Sequence, residues 1–240
     1  MLKCYTKHQL PMLEQPKTVR IRFVKKGNLQ YVSHLDLQRT LHRVLIRAGI
    51  PMWYTKGFNP HPKISFGYPL SIGTESECEF LDMRIEREIS MQDIINQLNC
   101  ELTDEMYVYD AYEAETDAND VAFADYSVKI CTEGGSPALA GKIAAVLARD
   151  ELFMVKKTKS GDKEINLIPL IDDCRIGWCD ECKSVVMNLR IATGSKQNLN
   201  PELLISALKR ELGILQGDPT REHYTIMRER FLTADYREFR

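Results

Sequence analysis

An α+β fold made of two successive βαββαβ units is what this sequence predicts, on three observations. Stretches that alternate apolar and polar residues are interleaved with stretches of helical apolar spacing. The same order of elements is met twice along the chain. Between the two rounds lies Glu113 to Ala124, an acidic stretch that mostly lacks either period. The organisation predicted is a lead-in at 1–17, a first unit at 18–113, a linker at 114–124 and a second unit at 125–240.

In the first unit, Val19 to Val24 (VRIRFV) alternates with period two and predicts a half-buried strand, with Arg20 and Arg22 on its wet face. Lys25 to Asn28 is turn chemistry. Ser33 fits a helix N-cap, with Asp36 three residues on. The helix should run to about Ala48, burying Leu37, Leu41, Val44, Leu45 and Ala48. Arg39, Arg43 and Arg47 recur on another face, and Gly49 is a natural stop. Met52 to Thr55 predicts a short strand. Lys56 to Pro62 predicts a turn, since its two prolines forbid helix, and Lys63 to Tyr68 a partner strand. Glu77 to Ile85 alternates again, with Cys78 and Phe80 inward and Glu79 and Asp82 outward. A helix from Ser90 through Asn99 and a strand from Met106 to Tyr112 complete the round.

The second round predicts strands at Asp125–Cys131 and Leu152–Lys157, with a helix at Pro137–Arg149 between them. A turn at Lys159 to Lys163 leads into a partner strand at Lys163–Ile171. Ser184–Ala192 reads as a further strand. Asn200 followed by Pro201 starts a helix. Glu222–Leu232 contains the last strand. This order is the ferredoxin-like pattern, twice, with an extra hairpin in the second unit.

The net charge of −2 hides a segregation. From Met1 to Gly67, twelve lysines and arginines face only Glu14 and Asp36. From Thr74 to Asp125, sixteen acids face only Arg84 and Arg87. Either the first stretch builds a basic face, or the two stretches pack together and neutralise one another. No apolar run reaches the ~20 residues of a membrane span, and the N-terminus lacks a signal-peptide pattern, so a cytoplasmic location is expected. Seven cysteines, an odd number in no framework, predict reduced thiols.

Chemistry-bearing residues concentrate between Tyr31 and Gly73. Ser33, His34, Asp36, Arg39 and Arg43 belong to the helix, and Gly57, Phe58, Asn59, His61, Lys63 and Ser65 to the turn and strand after it. A helix N-terminus favours an anion such as phosphate. His61 and Lys63 would approach that anion from the turn, and a phenylalanine would stack a base. Cys174, Cys179 and Cys182 are spaced x4 then x2, a set that could take zinc or an iron–sulfur cluster with a further ligand. The sequence holds no G-x-x-x-x-G-K-[ST], G-x-G-x-x-G or G-x-S-x-G motif.

The stretches SHLDLQR and GFNPHPKISFGYPLSIG, followed by Glu79 and Asp82, resemble the radical SAM-linked protein family, a bacterial domain of unknown function. The matching positions include Ser33, His34, Asp36, Arg39, Gly57, Phe58, His61, Lys63 and Ser65. The second half is not matched residue by residue. The resemblance implies a stand-alone partner of a radical SAM enzyme, but no reaction. The tandem arrangement also looks like that of CRISPR repeat-processing endoribonucleases, a likeness of fold alone.

The function expected is a non-catalytic accessory module that presents RNA or another phosphorylated ligand to a radical SAM enzyme. One alternative is a metal-independent endoribonuclease using His34 and His61 as an acid–base pair. The other is a metal-binding scaffold built on Cys174, Cys179 and Cys182. No resident cofactor is required by the leading reading, and self-association is not legible.

Overall fold

The computed structural model describes residues 10–158 and 161–240, and its fold is α+β. The chain divides into two units, one ending at Ala118 and joined by Arg240, the other from Asn119 to Phe239. Part of the predicted hairpin turn, Lys159 and Ser160, lies outside the described residues.

The first unit contains β1 (Met12–Lys25), α1 (His34–Arg47), β2 (Ile64–Phe66), β3 (Thr74–Arg87), α2 (Met91–Asn99) and β4 (Val108–Glu113). Its strands pair antiparallel, with β1 between β4 and β3, and β2 also on β3. Alternate β1 residues Val19, Ile21 and Phe23 meet Leu41 and Leu45 of α1 and Ile94 of α2 in one core. Both helices begin on a serine. Ser33 Oγ accepts the Asp36 N–H at 3.2 Å, and Ser90 Oγ accepts that of Asp93 at 3.0 Å, so each cap satisfies an orphan donor.

The second unit contains β5 (Val121–Cys131), α3 (Pro137–Leu147), β6 (Phe153–Thr158), β7 (Gly161–Asn166), β8 (Ile171–Cys179), β9 (Ser184–Ala192), α4 (Pro201–Leu212) and β10 (His223–Thr233). Its sheet runs β10-β5-β9-β8, all antiparallel, and β6 and β7 form a separate ribbon. Asn200 caps α4 with Pro201 in its first turn, and Gly213 ends it at φ +65° in the left-handed region.

Several expectations are corrected. Strand β1 starts at Met12, inside the predicted lead-in, and β5 starts at Val121, inside the predicted linker. Met52 to Thr55 is not a strand: Met52 bridges Ile85 and Tyr54 bridges Pro62 singly. Strand β8 was not anticipated, because IDDCRIGWC offers charged and small residues where a strand pattern needs apolar ones. Arg20 and Arg22, expected in water, are buried, as is Glu79. Arg20 lies directly across from Asp82 in the β1–β3 register and binds it with two hydrogen bonds, 2.7 and 2.8 Å. Arg22 sits over the Tyr109 ring at 5.4 Å. Alternation reports which residues share a face; it does not say whether that face meets water or ion-pair partners.

Asp125 on β5 is likewise buried, and its register partners on both sides are arginines. Arg190 Nε donates to it at 2.8 Å and Arg230 Nε at 2.6 Å. Burial disfavours the charged carboxylate, but the two guanidinium hydrogen bonds outweigh burial and hold its pKa below the ordinary value. The contribution to stability is therefore complete above the unfolded carboxyl pKa of about 3.9 and is lost as pH falls through the lower folded value. Asp125→Asn should cost about 1–3 kcal/mol near neutral pH and flatten the acid limb of stability. Urea unfolding at several acidic pH values, followed by Trp178 fluorescence, measures both; an unchanged acid limb would refute the assignment.

Candidate functional site

The start of α1 is capped by its own side chains. Ser33 Oγ donates to Asp36 Oδ2 at 2.7 Å while accepting the Asp36 N–H, and Arg39 lies 3.3 Å from Asp36 Oδ1. The Asp36 carboxylate in the first turn also adds a negative charge where the helix dipole favours one.

One turn further, polar residues at helical spacing build a groove. His34, Gln38, Arg39 and His42 line it from α1, and Ile64, Ser65 and Phe66 line it from β2; it is wide open to solvent, with a volume of about 550 Å³. The Gln38 amide nitrogen lies 2.9 Å from His34 Nε2. With the amide donating, Nε2 accepts and the imidazole proton sits on Nδ1. The His34 ring also packs edge-on against Phe66, centroids 6.0 Å apart. Gln38 and His42 were not singled out in the sequence, although His34, Gln38 and His42 recur every four residues.

The turn from Lys56 to Pro62 is organised by itself. His61 Nδ1 is 3.2 Å from both Thr55 Oγ1 and the Asn59 carbonyl, and the His61 N–H donates to Thr55 Oγ1 at 3.2 Å. Thr55 N–H returns a bond to the His61 carbonyl at 2.9 Å. Gly57 holds φ +147°, a conformation other residues rarely adopt, while a Cβ there would meet nothing. That backbone presents Phe58 fully exposed. The structure therefore joins Ser65 to His34 and Arg39 in the groove but leaves His61 outside its lining.

The charge segregation is largely resolved by pairing. Lys26 meets Glu77 at 2.6 Å, Lys17 meets Glu113 at 3.0 Å, Arg47 meets Glu101 at 2.8 Å, and Arg20 takes Asp82. The Gly27 N–H donates to Glu75 Oε1 at 2.7 Å. What survives is local. Among the described residues the side chains of Arg43, Lys56 and Lys63 make no ion pair or hydrogen bond, and all three are exposed. Arg43 lies one helical turn beyond Arg39, and Lys63 immediately precedes Ile64 of the groove.

The cysteines do not converge. Cys174 pairs in register with Leu189, and Cys179, at the far end of β8, pairs with Ser184. Five residues of strand put ~16 Å between them, and the odd separation turns their side chains to opposite faces. Cys179 and Cys182 instead form a disulfide across the β8–β9 turn. No group of three His, Cys, Asp or Glu residues suited to a metal occurs among the described residues. Spacing along the chain suggests a three-cysteine set, but strand β8 runs between Cys174 and Cys179 and holds them apart. No helix among the described residues is long and apolar enough to cross a membrane.

Comparison with known sequences matches residues 18–201 to a family described as an uncharacterized protein conserved in bacteria, DUF2344. No curated protein matches the chain. Among solved structures, an unknown protein from Galdieria sulphuraria aligns over 89% of this chain and 99% of its own, with 10% identity and a TM-score of 0.25.

Proposed function

The chain belongs to the DUF2344 family of uncharacterized conserved bacterial proteins, and from that premise we propose that it is a non-catalytic module binding single-stranded RNA or another phosphorylated ligand. In this reading it presents that ligand to a radical SAM enzyme, the partner implied by the family resemblance of its first half. The observation that carries the binding part is the coincidence of unpaired cations with an aromatic ring held in water. Arg43, Lys56 and Lys63 have no acidic partner among the described residues, while neighbouring bases do, and Phe58, two residues after Lys56 in the same turn, is fully exposed. Cations along a backbone track, with aromatic faces for bases, are what sequence-tolerant single-strand binding needs. The groove of His34, Gln38, His42 and Ser65 would then receive a polar group of the ligand. The strand orders β4-β1-β3-β2 and β10-β5-β9-β8 support reading each unit as ferredoxin-like.

The test is a salt titration of binding. A labelled single-stranded oligoribonucleotide is titrated with wild type and with the triple variant Arg43→Glu, Lys56→Glu, Lys63→Glu. The variant should bind more weakly, and the slope of log affinity against log salt should flatten by about 0.7 for each phosphate contact removed. Equal affinity and equal slope would end the RNA reading. Capture of the tagged chain from its native cells, at low and high salt, checks the enzyme partner independently. This reading is preferred to the nuclease alternative because His61 is outside the groove lining that includes His34, and to the metal scaffold because Cys174 and Cys179 sit at separate registers of β8.

A further inference from the structure

We propose that Cys179 and Cys182 form a redox-active site that exchanges thiols and disulfide with an external dithiol. This is distinct from the ligand surface of the first unit. The pair closes the C-D-E-C turn between β8 and β9. Cys182 is exposed and Cys179 is half-buried.

Four features separate this pair from a structural staple. The first is loop length. A disulfide stabilises by restricting the unfolded chain, and that effect grows with the loop it closes; here the loop is a single turn. The second is redundancy. The turn is already fixed by the β8–β9 ladder, whose last register pair is Cys179 with Ser184. The third is a prepared leaving group. The Cys182 N–H donates to Cys179 Sγ at 3.4 Å, and Ser184 Oγ donates to Cys182 Sγ at 3.3 Å. A fixed amide donor favours a thiolate over a thiol at Cys179. The carboxylates of Asp180 and Glu181 oppose that charge, whereas Lys183, 3.6 Å from Asp180, favours it. The fourth is contrast. Cys78 is buried, burial reinforced by the charge of Asp173 pushes the Cys174 thiol up to about 11, and Cys131 and the exposed Cys100 are free thiols without a disulfide partner, so a disulfide exchange is available at the Cys179–Cys182 pair and at none of these.

The reaction balances as a two-electron exchange. A thiolate of the dithiol attacks the exposed Cys182 sulfur, the Cys179–Cys182 bond breaks, and Cys179 leaves as a thiolate beside the Cys182 N–H. The second thiol of the reductant then attacks the mixed disulfide and releases Cys182. The reductant ends as a disulfide, and its two protons end on Cys179 and Cys182. The reverse reaction, with an oxidised dithiol, closes the pair.

The experiment uses the full chain, with dithiothreitol as the dithiol. Native protein is equilibrated across ratios of reduced to oxidised dithiothreitol, trapped with iodoacetamide and mapped by peptide. Cys179 and Cys182 should become alkylated together in one reversible transition without denaturant, while Cys78 and Cys174 stay unmodified. A pair that stays a disulfide until the protein is unfolded would overturn the proposal, as would a pair that stays two thiols in fully oxidised dithiothreitol. Single variants locate the attack. In Cys179→Ser, Cys182 should capture oxidised dithiothreitol as a mixed disulfide faster than Cys179 does in Cys182→Ser. The opposite order would overturn the assigned direction.

Discussion

Replacing Arg20 with alanine is expected to cost about 3–5 kcal/mol, because it strands a largely buried carboxylate. Arg20 is wholly inaccessible to solvent, and the side chain of its partner Asp82 is only 16% exposed. The guanidinium makes the bidentate pair with Asp82, donates to Thr116 Oγ1 at 2.8 Å and to the Thr116 carbonyl at 3.0 Å, and lies 5.0 Å from the Phe80 ring centroid. Removing it leaves Asp82 without its counter-charge and two Thr116 acceptors without their donor. Asp82→Ala should be as damaging, since it leaves a buried cation. The double variant Arg20→Met, Asp82→Leu should be milder than either single change, because no charge is then left unpaired. Urea unfolding followed by Trp53 fluorescence, in a Trp178→Phe background, gives all three values. Additive single and double effects would show that the pair is not coupled. The exposed Arg39–Asp36 pair supplies the opposite case: with side chains 72% and 60% exposed, Arg39→Ala should shift stability by less than about 1 kcal/mol.

The same comparison shows which parts of the structure could be read from residues alone. Helices α1, α2 and α4 were legible because capping serines or asparagine and apolar stripes, with Gly49 stopping α1, are local signals that tertiary packing then used unchanged. Strand β9 was legible because its valines, methionine, leucine and isoleucine form an apolar run of strand length. Strand β8 was not, because its pairing is dictated by β9 rather than by its own composition. The fate of Arg20 was hidden for a related reason: its partner lies 62 positions away and is fixed only by strand register. At the candidate site, the sequence located the residues but not their grouping. His34 and His61 both stood out as types, yet the fold joins His34 to Gln38, His42 and Ser65, and ties His61 to Thr55 and Asn59. Helical spacing from His34 would have found Gln38 and His42. Nothing local would have found their opposition to Ile64 and Phe66.

Phe23→Ala should also cost about 3–5 kcal/mol, by losing a buried ring and leaving a cavity between sheet and helices. Phe23 is 1% exposed and belongs to the core in which β1 supports α1 and α2. Phe58 carries the same side chain into water, so Phe58→Ala has no transfer energy to lose and should leave stability within about 0.5 kcal/mol. If the turn holds its ring out for a base, the same change should weaken oligoribonucleotide binding by about 1–3 kcal/mol. The pair of variants therefore separates a binding role from a packing role. Phe23→Ala should move the unfolding midpoint, with affinity retained wherever the chain remains folded; Phe58→Ala should move affinity at constant midpoint. Loss of stability in Phe58→Ala would place its ring against protein rather than ligand. Unchanged affinity with unchanged stability would remove the aromatic half of the proposed RNA surface and leave its three cations to act through charge alone.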